Sequence, residues 1–300
     1  MPRLSGELSA MRDNATSGRS FATTLLAPIS LLYLFCLIAP ISYFLAVSFL
    51  RYSPKDLYSS TPTFENYGRL LLDPYNQNII LSTFRIAAIV TAITLVLGYA
   101  LAYFLSRAAP AWRGLLMFLV IAPLMTGVIV RTYGWIVLLG SEGLVNRLLL
   151  ALHLIGKPVS LLNSEPTVIV ALVHLLLPFM TFPIFSSLVG QDPHLVPAAA
   201  TLGAGPVKAF LEITLPLSRS GVVMGSALVF TLTAGAVVTP ALLGGRNVMM
   251  MGQMIYQLVL STLNWPLGAA FAVVLVLCQL VVISVYFRSS RQRTRRVAQS

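Results

Sequence analysis

The sequence predicts an all-α, polytopic membrane protein with six transmembrane helices. Three observations carry this. Of 300 residues, 57% are hydrophobic and only 10% charged, against about 25% charged in soluble domains, and the mean hydropathy is +0.85. The apolar residues gather into six long runs, at 21–50, 79–106, 115–139, 167–190, 221–244 and 266–287. These runs lack the period-two alternation of membrane β-strands. A helix is then the one spanning backbone that satisfies its own hydrogen bonds.

Residues 1–20 are polar and form an N-terminal tail. The first run carries no charge and is too long for a signal-peptide core, so it stays as a span. Residues 52–74 contain Pro54, Pro62, Pro74 and charges of both signs, which predicts a loop-rich extramembrane cap. Arg85 interrupts the second run and Arg131 the third. The stretch 144–155 is short and carries Asn146, Arg147 and His153, so it is expected to be an interfacial or re-entrant helix. Residues 288–300 form a basic tail with Arg288, Arg291, Arg293, Arg295 and Arg296. Arginines directly after an apolar run anchor it at the membrane surface, so the net charge of +11 does not point to nucleic acid. Cys36 and Cys278 stand alone inside apolar runs, as small core residues and not as a disulfide or metal pair.

Orientation follows from Lys and Arg. With the N-terminus inside, the inner segments hold twelve and the outer segments six. The outer set is nearly cancelled by Asp56, Glu65, Asp73, Glu142 and Glu165. The bias favours both termini in the cytoplasm, and it puts the loop 191–220 there too.

That loop is punctuated in an informative way. Pro197 suits the first turn of a short helix, where its missing N–H is not needed. Ala198, Ala199 and Ala200 give that helix a small-residue surface. Gly203 can end it in the left-handed conformation. Gly205-Pro206 restarts a second helix, and Pro216 is expected to stop it. The result is a helix-turn-helix knob, although an ordinary connector would share these features.

The spacing Ala198-Ala199, Gly203, Ile213, Leu215-Pro216 resembles the cytoplasmic coupling loop of permeases in binding-protein-dependent ABC importers. The family pattern is Glu-Ala-Ala-x-x-x-Gly, nine residues, then Ile-x-Leu-Pro. Pro197 stands where the family usually has Glu, so this chain lacks that acidic contact. Five further segments are similar to permeases of the spermidine/putrescine branch: Glu65-Asn66-Tyr67, Ala122-Pro123-Leu124, Arg131-Thr132-Tyr133-Gly134, Gly143-Leu144-Val145-Asn146 and Leu176-Leu177-Pro178-Phe179. The resemblance implies the type I ABC importer permease fold in a bacterial inner membrane. It implies a cytoplasmic ATPase dimer gripping the knob, with ATP and Mg bound there and no cofactor on this chain. It also implies a second, different permease and a periplasmic solute-binding protein as partners. The implied solute is a polyamine or a similar small molecule, with an opine or an anion as the alternative.

Candidates for the translocation path are Arg131, Tyr133, Thr231, Thr233, Gly235 and Thr239. A buried charge such as Arg131 faces protein or a wet cavity; it can gate, take an anionic group or bond backbone carbonyls. Arg85 lies near a span end, where it can snorkel or pair. Gly235 and Pro240 permit an unwound turn, beside threonines that can line a path or bond their own backbone. Tyr99, Tyr103, Tyr133 and Trp135 offer either a cation–π surface or interfacial anchors. His174 is expected to be a packing residue. No Asp or Glu lies within any run. That weighs against a fixed polycation site, and against a proton-coupled carrier or channel working without an ATPase. No Walker A, zinc-protease or nucleophile-elbow motif is present, so no catalytic residue is expected.

Overall fold

The computed structural model describes residues 28, 32–245 and 247–297, with side chains as far as 286. The N-terminal tail, most of residues 21–31, Arg246 and the tail arginine side chains lie outside it. Helix α1 is Leu32–Ser48. Most of its side chains before Val47, Cys36 among them, are exposed, as a lipid-facing helix requires. Cys36 is therefore not a core residue. Both Cys36 and Cys278 are free.

The cap is not all loop. Strands β1 (Leu50–Ser53) and β2 (Leu57–Pro62) form an antiparallel hairpin, with Tyr52 opposite Tyr58. Pro54 and Asp56 occupy the turn, whose end residue Leu57 has φ +67°. The all-helical expectation is corrected here, within the predicted extramembrane segment. Helix α2 (Glu65–Leu72) follows. Buried Asn66 donates to the carbonyls of Ser48 and Leu50, at 2.9 and 2.8 Å, and so pins α2 to the end of α1.

Asp73 caps helix α3 (Pro74–Arg107) by accepting from the Tyr75 N–H at 2.9 Å, with Pro74 at its first position. Its 34 residues make it longer than a ~30 Å hydrocarbon core needs. The expected third span is broken. Helix α4 (Pro110–Ile121) runs into a tight 3₁₀ turn, Ala122–Met125, and α5 (Val128–Leu139) starts afresh after Thr126-Gly127. Helix α6 (Leu144–Ala151) continues after a short break, and Val128–Ala151 together is long and apolar enough to cross a membrane. Helix α7 (Glu165–Val189) carries Pro178 and Pro183 inside it. Arg85 on α3 pairs with Glu165 at the start of α7, which settles its role as a structural partner.

The loop after α7 contains α8 (Leu195–Thr201), α9 (Pro206–Ala209), a wide π-type turn Phe210–Thr214 and α10 (Leu215–Leu217). Helix α11 (Arg219–Ala234) follows at a 62° bend. It ends at Gly235, short of the expected boundary, and Pro240–Gly244 forms a second wide turn. Helix α12 (Met251–Tyr256) was not foreseen, and α13 (Trp265–Val297) extends beyond the expected sixth span. Among the described residues four segments are long and apolar enough to span: α3, α5–α6, α7 and Trp265–Tyr286 of α13. The bent pair Pro206–Leu217 and Arg219–Ala234 makes five.

Helices α3, α7 and α11 form the central bundle. Ile86 and Val90, Leu172, Met180 and Ile184, and Val229 meet in its core. A second core joins α3 and α11 to α12 and α13 around Phe271, Met251 and Phe230. Thr83 fastens the two by accepting from the Met251 N–H at 2.8 Å.

Candidate functional site

The knob begins where α7 ends. Pro197 is the third residue of α8, in the first turn, where its missing N–H leaves no bond unmade. The helix closes with a Schellman arrangement: Gly203 N–H bonds Ala200 C=O and Ala204 N–H bonds Ala199 C=O, both at 3.0 Å. Gly203 has φ +84°. Leu202, at the tip, is 89% exposed, and Pro197 and Ala198 are also exposed.

The return limb differs from expectation at Pro216. The helical ladder widens ahead of it, with Leu215 N–H bonding Phe210 C=O. The chain thereby takes Pro216 without stopping and bends at Ser218 instead. Ile213 is half-buried in the wide turn, and Leu215 and Pro216 are exposed.

Side chains whose bracing role sequence reasoning missed hold the knob. The Phe210 ring meets Tyr99 and Tyr103 of α3 edge-on, with centroids 5.7 and 5.5 Å apart. Tyr99 and Ser218 hydroxyls share a hydrogen bond of 2.9 Å. Gln191 donates to Thr214 C=O at 3.1 Å and closes the base of the loop. Ser187 and Ser220 hydroxyls join α7 to α11 at 3.1 Å. The two tyrosines are thus structural braces rather than free aromatic surface. The available signal was their four-residue spacing, which puts both on one helix face.

A cavity of about 510 Å³ opens among the break in span three, α7 and the unwound end of α11. Arg131 and Thr239 line it, together with Thr126, Leu172, Phe179 and Val237. Arg131 lies in the first turn of α5 and donates to the carbonyls of Pro123 and Thr126. Pro123 C=O also accepts from the Thr126 N–H and hydroxyl, at 3.3 and 2.7 Å, so the guanidinium adds to a turn that is already closed. Its Nη1 is buried and unpartnered. Thr239 approaches Thr132, hydroxyl to hydroxyl, at 3.5 Å. The other four path candidates are not on the cavity wall. Tyr133 is exposed, Thr233 bonds its own backbone at Val229, and the Thr231 carbonyl accepts from Gln279 at 3.1 Å. Gly235 caps α11. His174 packs edge-on against Trp135. Among the described residues no cluster of His, Cys, Asp or Glu could hold a metal.

No protein-family model matches the chain. It is 35% identical to the spermidine/putrescine transport system permease protein PotB of Haemophilus influenzae over 264 residues, covering 88% of this chain and 92% of that protein. PotB of Escherichia coli K12 is likewise 35% identical, over 84% of this chain and 92% of its own length. The inner membrane ABC transporter permease YdcU of Escherichia coli is 29% identical over 73% and 72%. A chain of a bacterial ABC transporter involved in import of the acidic polysaccharide alginate shares the fold. Its TM-score is 0.73 at 17% identity, covering 92% of this chain and 96% of that one. A bacterial alginate ABC transporter in complex with an alginate pentasaccharide-bound periplasmic protein gives 0.72, at 17% identity. The chain belongs to the spermidine/putrescine-type permease family of ABC importers: it is a transmembrane permease subunit, with ATP hydrolysis carried out by a separate subunit.

Proposed function

We propose that this chain imports a polyamine, spermidine or putrescine, across a bacterial inner membrane as one half of a permease heterodimer. Six spans with both termini in the cytoplasm complete the arrangement. The domain frame is a tail at 1–20, spans from 21 to 287, the coupling loop at 191–220 and a basic tail at 288–300. A cytoplasmic ATPase dimer binds ATP and Mg and grips the knob through Pro197, Ala198, Ala199 and Gly203. Ile213, Leu215 and Pro216 carry its movement into α11. A periplasmic binding protein delivers the solute to a path bordered by Arg131 and Thr239.

The observation that carries this reading is the bracing of an exposed, Gly-terminated knob onto α3 and the start of α11 through Phe210, Tyr99 and Ser218. A protrusion fixed at its root moves as one body with the helices that bury Met180. ATP closure would rock this bundle and open the cavity alternately to either side. Reconstitution of the chain with its genomic neighbours tests the function: ATP-dependent accumulation of radiolabelled spermidine supports it, and ATP hydrolysis without accumulation refutes the solute.

One observation favours a second reading of the solute. The cavity wall carries the Arg131 guanidinium and no Asp or Glu, which suits an anionic or opine-like molecule. Competition for uptake between spermidine and such compounds separates the two.

A further inference from the structure

A second, smaller cleft of about 260 Å³ lies at the root of the knob, between the end of α3, the start of α4 and the junction of α7 with α8. Its polar wall is Tyr103, Arg107, Arg113, Gln191 and Asp192. Arg113 is held in place by donating from Nη2 to the carbonyls of Ser106 and Ala108, at 3.1 and 3.3 Å. Its Nε is buried and has no partner. The Arg107 guanidinium lies 5.4 Å from the centre of the Tyr103 ring. Among the described residues neither arginine forms an ion pair, although Asp192 lines the same cleft. Asp192 accepts from the His194 N–H at 2.9 Å through one oxygen, which leaves the other for a cation.

The surroundings say what kind of molecule fits. The cleft sits where α3 ends at Arg107 and α7 ends at Val189, the level at which hydrocarbon gives way to headgroups. Leu188, Val189 and Val196 form its apolar side, and Val189 is 48% exposed, so the cleft has an accessible apolar flank. It therefore joins two guanidiniums, one carboxylate and an apolar entrance. Guanidinium forks match phosphate oxygens, and a carboxylate matches a primary ammonium.

We propose that this cleft binds the headgroup of a phosphoethanolamine lipid, with its phosphate between Arg107 and Arg113 and its ammonium at Asp192. Choline lacks the N–H donors for Asp192, and phosphoglycerol lacks the cation. Residues 191–196 form one wall of the cleft and the start of the knob, so the bound lipid stiffens the coupling loop. This last step rests on the coupling reading; the binding itself does not.

The test uses the assembled complex, purified with its partner subunits and titrated with short-chain phosphoethanolamine, phosphoglycerol and phosphocholine lipids, with retention read by native mass spectrometry. The phosphoethanolamine lipid should be retained preferentially. Arg107→Gln should weaken all three about tenfold, the loss expected for one charge-assisted contact. Asp192→Asn should abolish the preference over phosphocholine while keeping phosphate-dependent retention. Neither side chain holds a carbonyl of α3 or α4, so both variants report on the cleft without the local unfolding that Arg113→Gln risks. Equal retention of the three lipids, or retention unchanged in both variants, overturns the assignment. Displacement by inorganic phosphate alone also overturns it, in favour of a soluble anion site. Uptake measured on the same samples separates the two claims. Normal uptake without lipid preference removes this inference only; lipid preference without ATP-driven uptake removes the coupling reading only.

Discussion

Gly225 of α11 seats against Met180 of α7 so closely that a Cβ there would lie 2.8 Å from the Met180 sulfur. Gly98 of α3 meets the same side chain from another direction, with a Cβ position 2.8 Å from Met180 Cγ. One methionine thus fills the seam of three helices. Small residues let membrane helices approach to backbone distance, where packing, not hydrophobicity, holds them. The knob joins α7 to α11, so this seam is the body that the knob moves.

Gly225→Ala is expected to destabilise the protein by about 1–3 kcal/mol through overpacking. Met180→Ala in the same chain should recover part of that loss, because contacting sites are not additive. Gly221→Ala should cost more than Gly225→Ala, because its Cβ would meet the Pro183 carbonyl, which is backbone and cannot swing aside. Thermal unfolding of the detergent-solubilised chain checks the order.

At Gly203 an added Cβ meets nothing within 4 Å, so the penalty is purely conformational. Gly203→Ala should cost about 1–2 kcal/mol of local stability at the left-handed φ, and Gly203→Asn less. Gly203→Pro should abolish uptake, since proline fixes φ at about −65° and removes the N–H that bonds Ala200. Membrane insertion, read by fractionation, should remain normal in all three.

Phe210→Ala removes two edge-on ring contacts, each worth about 0.5–1.5 kcal/mol beyond its buried area. The knob should then move without α3. The expected outcome is ATP hydrolysis that persists while solute imported per ATP falls. Parallel measurement of phosphate release and uptake checks it; a proportional fall in both would contradict the bracing role.

Arg131→Leu removes the guanidinium donor from the Pro123 and Thr126 carbonyls. Pro123 keeps the Thr126 N–H and hydroxyl and Thr126 is exposed, so the cost should be about 1 kcal/mol, that of a lost hydrogen bond. Arg131→Lys should fall between wild type and Leu, since one ammonium cannot reproduce the guanidinium fork. Unfolding midpoints of the three proteins give the comparison.

The knob was legible because its instructions are local. Pro197, Gly203 and Gly205-Pro206 act through their own backbone, and the structure follows them. Pro216 misled because the relief comes from the wide turn at Phe210–Thr214, which no residue type announces. The break at Thr126-Gly127 did have a signal, Pro123 and Gly127 inside the third run, which a reading by apolar length passes over. The path residues show the deepest limit. In water an amphipathic stripe reveals which face of a helix is buried. In α11 the exposed face (Met224, Leu228), the cavity wall (Leu232) and the core face (Val229, Phe230) are all apolar. Thr231 and Thr233 could not be assigned a direction from sequence, whereas Arg131 and Thr239 lie beside interruptions and do reach the cavity. The cap hairpin was masked by its prolines.

The central claim is that an ATPase grips the knob, and a crosslink measures it most directly. With Cys36 and Cys278 replaced by serine, Leu202→Cys puts one thiol at the exposed tip. In the assembled transporter, a short thiol-to-amine crosslinker should join this chain to the ATPase subunit, with a yield that changes on ATP addition. A transporter that still accumulates solute while the thiol captures no protein partner would contradict the account.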